Sequence, residues 1–452
     1  MSTAHDVVVV GAGIAGLAAA DTLRRAGRSV TVLEASDAVG GRMRSHRVDG
    51  YVMDTGAELL STAGYDATWR LIRRAGLGPA DTTRIPDPVA AWRDGRAHRH
   101  VGASRALLSG GGLSLRGRAA LARFLTTESR RRGAYDPDLP ERTPLGTLTL
   151  AEYARGYRPE LHDFLFQPIA GCFFGWDTAR SAAAPFVTNM LACGSTTRWR
   201  SYTDGMDTLA RRLARTSDVT TGCAVREVIS AAGHARVVTD TGTLTARAVL
   251  LCVPAPVALR LHVNAPEEEV PYLAACGYVP RLKVSYTLDR PLAPRSGESA
   301  YCVLLPAAGE PELAGLMMEH NKGAGRAPEG RGLVSLMAAP AVARELVDAP
   351  EGEILARLGD AAARYLPELR AATLRTFVHR WPHGIPEATP RALAHRDAFL
   401  GRAAAPVEYA GDWLMLRPSS EGAVRSAELA AARVLSRLPR TAPALPGRSG
   451  TR

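Results

Sequence analysis

The sequence predicts an α/β fold, and three observations near the N-terminus carry that prediction. Four valines, Val7 to Val10, form an apolar run of buried-strand length. They lead into Gly11, Gly13 and Gly16 at GxGxxG spacing, and Leu17 to Ala26 then shows helical spacing closed by Gly27. A second apolar stretch, Ser29 to Leu33, ends at Glu34. Strand, crossover helix and strand within about thirty residues make a βαβ unit, which a parallel sheet requires.

Each glycine of the loop has a mechanical task. Gly11 permits the tight turn, Gly13 lets a pyrophosphate approach the backbone, and Gly16 lets helix and strand pack closely. The helix that opens at Ile14 and Ala15 presents free N–H groups and partial positive charge to an anion. Glu34 follows Gly16 by 18 residues, close to the spacing of an acid that binds ribose hydroxyls, and its carboxylate repels a 2′-phosphate. A dinucleotide site is expected here, with Ala35 at its edge.

Further elements follow the same α/β pattern. Ala224 to Ile229 and Ala235 to Val238 read as strands flanking Gly233, and Leu244 to Val253 is a β-rich run closed by Pro254. Val407 to Ala410 reads as a short strand before Gly411, and Glu421 to Leu438 as an alanine-rich helix. Residues 81–204 show mostly helical pattern with an Arg-rich stretch, while 275–395 mix strands with a helix from Glu351 to Tyr365. The expected division is a discontinuous cofactor domain (1–80, 205–274, 396–438), a substrate domain (81–204, 275–395) and a flexible tail (439–452).

Composition excludes several classes. The chain has 452 residues, 46% of them hydrophobic, with 56 Lys plus Arg against 45 Asp plus Glu. That is globular and large enough for two or three domains. Lys283 and Lys322 are the sole lysines, and the arginines are spread over the whole chain, which reads as coding bias. Nucleic acid is not an expected partner, since no recognition motif accompanies the charge. Cys172, Cys193, Cys223, Cys252, Cys276 and Cys302 form no CxxC pair, so reduced thiols and no metal site are expected. The N-terminus lacks a basic leader pattern and no segment reaches about 18 apolar residues, so a cytoplasmic protein is expected. The Arg-bearing region 103–133 reads as a solvated helix face without membrane contact. The sequence does not give the oligomeric state.

The run Glu34-Ala35-Ser-Asp-Ala-Val-Gly40-Gly41-Arg42 resembles the second signature of the flavin amine oxidase superfamily, which includes monoamine, polyamine and protoporphyrinogen oxidases and phytoene desaturases. Physically, Gly40 and Gly41 bring the backbone close to the cofactor and Arg42 can neutralise a phosphate. The resemblance extends to Tyr51-Val-Met-Asp54-Thr-Gly56-Ala57-Glu58, the family segment beside the flavin ring, and to Val225, the valine on adenine. It includes Leu251-Cys252-Val253-Pro254, Tyr409-Ala-Gly411-Asp412 and the closing Glu421-Gly422-Ala423-Val424. It implies FAD, a Rossmann-like FAD-binding domain with an interleaved α+β substrate domain, and a monoamine-oxidase-like architecture. Asp412 would face the ribityl–phosphate region, and the helix near Glu421 would aim its N-terminus at the pyrimidine end.

The resemblance also names candidate catalytic residues. Lys283, in Arg281-Leu-Lys283-Val-Ser-Tyr, resembles the family lysine that reaches flavin N5 through a water; a solvated edge-strand lysine is the other reading. Trp381, in Arg380-Trp381-Pro-His-Gly-Ile-Pro386, resembles the late segment of protoporphyrinogen oxidases, with ordinary core as its alternative. Ser419 stands where monoamine oxidases carry a cage tyrosine, and residues 381–412 hold no cysteine for a covalent link, so noncovalent FAD is expected. Phe164, Phe166, Phe173, Phe174 and Trp176 form either a core corner or an apolar pocket wall. No second dinucleotide motif is present, so nicotinamide is not the expected donor. The expected reaction takes hydride from a C–H next to nitrogen, or in a ring being desaturated, of a small amine, heterocycle or porphyrinogen-like substrate. Oxygen or another acceptor then reoxidises the flavin. The alternatives are a polyene desaturase and a nonenzymatic FAD-binding protein.

Overall fold

The four-valine run becomes the strand His5–Val10 at the centre of a seven-stranded sheet. A computed structural model describes residues 5–438, so the expected tail at 439–452 lies outside the described residues. His5–Val10 pairs in parallel with Val30–Leu33 on one side and with Gly242–Leu251 on the other. Val7, Val8 and Val9 are fully buried, because helices cover both faces of a parallel sheet. Gly242–Leu251 is shared: its first half pairs antiparallel with His234–Thr239 and its last residues pair in parallel with Val407–Tyr409. Val225–Ala231 and Asp218–Thr220 complete the edges. All these strands come from the three stretches expected to build the cofactor domain.

Gly11 and Gly16 explain why the first turn is so tight. Gly11 sits at φ +101°, and a Cβ there would stand 2.7 Å from the carbonyl oxygen of Cys252. A Cβ on Gly16 would stand 1.9 Å from the carbonyl oxygen of Gly11, so no larger residue fits beneath the helix Ile14–Arg25.

The second seven-stranded sheet runs, in order, Thr373–Pro386, Tyr278–Leu288, Gly332–Ala338, Leu313–Met318, Cys302–Leu304, Val89–Arg93 and Arg96–Arg99. Its last two strands correct the mostly helical reading of 81–204. Val89–Arg93 is alanine-rich and carries little β pattern, but Asp94 and Gly95 both take positive φ and form a tight hairpin turn. The short strands Thr82–Arg84 and Trp199–Tyr202 also fall in this segment, and its helices are chiefly Leu115–Arg130 and Ala183–Cys193.

A buried charge cluster ties this second sheet to a separate two-stranded ribbon, Ser45–Val48 with Tyr51–Asp54. Asp54, at the end of Tyr51–Asp54, accepts from Lys322 Nζ at 2.6 Å, Arg326 Nη1 at 2.7 Å, Ser45 Oγ at 2.6 Å and the Met206 amide at 2.8 Å. Lys283 Nζ donates to the Asp54 carbonyl at 2.6 Å, to Glu319 Oε1 at 2.8 Å and to Glu58. Lys322 Nζ also donates to Glu58 Oε2 at 2.7 Å. Both lysines of the chain therefore sit in one buried site. Burial alone would neutralise such groups; here burial opposes the Lys283 charge, and Glu319 and Glu58 outweigh it and hold its pKa above the usual lysine value. Glu319 is carried down to about 2 despite its burial, through Lys283 and Lys322.

Two predictions follow from these buried groups. Lys322→Met leaves Asp54 and Glu58 under-compensated and should lower the unfolding free energy by about 3–5 kcal/mol. The urea midpoint measures this, and Arg226→Met, in the exposed pair with Asp240, should leave the midpoint unchanged. Burial also lowers His262 to about 4 and His379 to about 3. The unfolded chain then binds more protons than the fold below pH ~6.5, so stability is lost as pH falls. Urea titrations at pH ~6.5 and ~5 should show a loss of up to about 1.4 kcal/mol per pH unit for each histidine, and His379→Asn should remove roughly half of that slope.

Candidate active site

A cavity of about 870 Å³ is lined by residues of both sheets. One part of its wall is backbone-rich: Gly11, Gly13, Ile14 and Ala15 from the first turn, with Glu34, Gly41 and Arg42 beside them. Gly13 caps the helix Ile14–Arg25 without a side-chain partner, and a Cβ built on it meets nothing within 4 Å. The N-terminal amides of that helix therefore face open space. Gly40 donates to the Ala12 carbonyl at 2.9 Å, and a Cβ on Gly41 would stand 3.4 Å from Gly13 Cα. The double glycine thus lets the second signature lie against the first turn. Glu34 Oε2 accepts from the Ala12 amide at 2.7 Å, and its Oε1 accepts from Ser36, which fixes the carboxylate at the rim.

Gly56, Ala57, Glu58, Cys252, Pro254, Gly411, Asp412 and Ala423 also line the cavity. Arg42 is forked onto Asp412, with N···O distances of 2.9 and 2.7 Å, and donates to the Gly384 carbonyl at 3.0 Å. Three of its five donors are spent, so the phosphate role expected of Arg42 is left to the remaining N–H groups and to the helix amides.

Six of the expected cofactor residues are not on the cavity wall. Gly16 and Gly422 are packing glycines; a Cβ on Gly422 would stand 2.1 Å from the Arg417 carbonyl oxygen. Ala35 is exposed beyond Glu34, Val225 lies half-buried on an edge strand, and Val424 is buried in the helix Ser420–Arg437. The Glu421 carboxylate accepts from the Ala67 and Thr68 amides at 3.1 and 2.8 Å, so it caps another helix instead of entering the cavity. At the start of the same helix, Ser419, Ser420 and Ala423 line the wall.

Lys283 and Trp381 both line the cavity, on neighbouring strands. Lys283 is neither a solvated edge lysine nor free to hold a water. Its three ammonium protons go to Asp54, Glu58 and Glu319. Trp381 Nε1 donates to the Thr55 carbonyl at 2.8 Å, which fixes the ring. The aromatic group divides: Phe166 and Trp176 are core, while Phe164, Phe173 and Phe174 line the cavity from two π-helical turns. Such turns recur at functional sites.

Sequence reasoning missed Arg281 and the companions of Lys283. Arg281, two residues before Lys283 on the same face, is buried in the cavity wall and donates to the Gly171 carbonyl at 3.1 Å and to that of Cys172. Glu319, Lys322 and Arg326 lie near no motif. The signal available was the second lysine in an arginine-biased chain. The three carboxylates of Asp54, Glu58 and Glu319 lie close enough to bind a metal ion, but the two ammonium groups occupy that position. Burial and the Glu319 charge raise the Glu58 pKa above the usual carboxylate value, against the pull of Lys283 and Lys322.

Comparison with known proteins agrees with this geometry. The family described as flavin containing amine oxidoreductase matches residues 14–435. Putrescine oxidase of Kocuria rosea is 44% identical over 98 residues, which are 22% of this chain and 20% of the relative. Mitochondrial protoporphyrinogen oxidase of Nicotiana tabacum is 45% identical over 76 residues, 17% of this chain and 15% of the relative. These matches span a fifth or less of the curated relatives. Cyclohexylamine oxidase from Brevibacterium oxydans IH-35A superposes with a TM-score of 0.77 at 17% identity, over 97% of this chain and 100% of that one. It therefore has the same fold, an FAD-binding domain with an interleaved substrate domain. With the family match running through nearly the whole chain, the protein belongs to the flavin-containing amine oxidoreductases.

Proposed function

We propose that this protein is an FAD-dependent oxidase that removes the elements of hydride from a C–H next to nitrogen of a small amine or heterocycle, with oxygen as acceptor. The observation that carries this reading is the continuity of one cavity from the glycine turn, past Lys283 and Trp381, to Phe164, Phe173 and Phe174. The residues present fit FAD. Gly13 leaves room for a pyrophosphate at the amides of Ile14–Arg25, Glu34 holds a carboxylate at the rim beside that turn for ribose hydroxyls, and Ser420–Arg437 offers a second helix N-terminus. The bound flavin would supply the hydride acceptor.

The chain's own residues supply placement and charge. Trp381, its N–H engaged, presents an apolar ring that positions the substrate. The phenylalanines exclude water from the reacting carbon. Arg281 and Lys283 in the wall, with Lys322 and Arg326 buried beyond it, outnumber Asp54, Glu58 and Glu319 by one positive charge. That excess stabilises negative charge arriving beside it. Burial raises the Cys252 thiol to about 12 and also raises that of Cys193, so neither of these two cavity-lining thiols is an effective nucleophile. A second reading, desaturation of an apolar polyene, draws on the same phenylalanine wall.

Anaerobic titration of the purified yellow protein with primary amines, reduced nitrogen heterocycles, porphyrinogens and polyenes tests both readings. Bleaching by an amine or heterocycle is expected; bleaching by a polyene alone selects the second reading, and none at all removes both. Gly13→Val should keep the fold, because its Cβ has open space, yet yield colourless protein, whereas Gly16→Val should fail to fold. Circular dichroism and the visible spectrum separate the two, and acid precipitation of the parent should release all its colour. Lys283→Met should slow the return of colour under oxygen by on the order of 10²-fold while altering anaerobic bleaching little, as stopped-flow absorbance would read.

A further inference from the structure

Residues 101–134 carry seven arginines and a single acid, Glu128. That acid is fully buried and accepts from the Tyr153 and Tyr157 hydroxyls at 2.7 and 3.1 Å, so it offers no charge at the surface. Leu108 and Leu115 are 83% and 75% exposed, and Leu107 and Leu125 are the other exposed leucines of the segment. Four of the nine exposed large apolar side chains among the described residues thus lie within this one segment. Arg118 Nη1 donates to the Leu108 carbonyl at 2.7 Å, tying the short helix Ala106–Ser109 to Leu115–Arg130. The same contact brings Leu108 near the turn that starts at Leu115. A solvated helix face, the reading from sequence, accounts for the arginines and leaves these leucines without a reason to be there.

The cavity reaches this face. Leu121, Leu125, Ser129 and Arg132 recur at helical spacing and line its wall, and Leu125 belongs both to the wall and to the exposed surface. We infer that this face docks on an anionic lipid surface and that the cavity opens toward the bilayer. The leucines enter the boundary between headgroups and acyl chains, and the arginines, charged at every working pH, pair with lipid phosphates. Charge complementarity selects this partner over an uncharged one. Contact is with the surface of the membrane only: no described helix is long and apolar enough to cross it. The inference does not depend on which substrate is oxidised.

Flotation of the full-length, flavin-loaded protein tests it, using vesicles of phosphatidylcholine alone and vesicles containing about a quarter phosphatidylglycerol. The protein should float with the anionic vesicles and not with the neutral ones. The double variant Leu108→Ser, Leu115→Ser lies outside the cavity wall and should keep its melting temperature and flavin spectrum while partitioning about tenfold more weakly. Arg130→Gln with Arg131→Gln should weaken partitioning at low salt and flatten its salt dependence. Failure of the parent to float with anionic vesicles overturns the proposal. So does equal flotation of the double-serine variant, or a parent dimer that the same substitutions dissociate, which would assign the face to a second copy of this chain.

Discussion

Three carboxylates and three cations, closed off from water where the substrate sheet meets the ribbon Ser45–Val48 and Tyr51–Asp54, constrain the rest of this structure. Asp54, Glu58 and Glu319 are worthless to the fold alone, because each buried charge costs several kcal/mol without a partner. Their partners lie far away in sequence: Lys283 is separated from Glu58 by 225 residues and Lys322 from Asp54 by 268. The cluster therefore closes only when the ribbon that ends at Asp54 and the loop bearing Glu58 are docked on the substrate sheet in one arrangement. An apolar seam would tolerate sliding. A set of directional, charge-assisted bonds does not, so the wall bearing Lys283, Glu58 and Gly56 is fixed as a consequence of folding.

The cavity consequently has two chemical characters. Toward the first turn its surface is backbone: glycines, helix N-termini and a carboxylate held by amides. Beyond Trp381 it is side chain, with aromatic rings set by two π-helical turns. The first kind of wall recognises a ligand common to many proteins, and the second can vary without disturbing it. Shape in the second half follows from Phe164, Phe173 and Phe174, which a chain can exchange at modest cost to the sheet that carries them.

What the sequence revealed divides along the same line. The βαβ unit, the glycine turn, Glu34 and the closing helix were legible because each is local: strand period, turn residue and cap lie within a few residues of one another. Lys283 and Trp381 were legible as cavity residues through short segments of recognisable pattern. The ion cluster was not, since nothing near Lys322 or Arg326 announces a partner more than two hundred residues away. Glu421 shows the converse limit. Its segment was recognised, but pattern alone does not show that the carboxylate turns back onto the Ala67 and Thr68 amides. The strand Val89–Arg93 was missed because alanine supplies no period, although Asp94-Gly95 marks its hairpin.

The burial of both lysines has one more consequence, for the reactivity of the surface. All positive side-chain charge outside the cluster resides on guanidinium and imidazole groups. The folded protein thus presents no lysine to acylating or aldehyde reagents, and an ε-amine becomes nucleophilic toward them only when the seam between the ribbon and the substrate sheet opens. Modification of Lys283 or Lys322 would report that opening selectively, giving the molecule an intrinsic chemical reporter of the loosening of that seam.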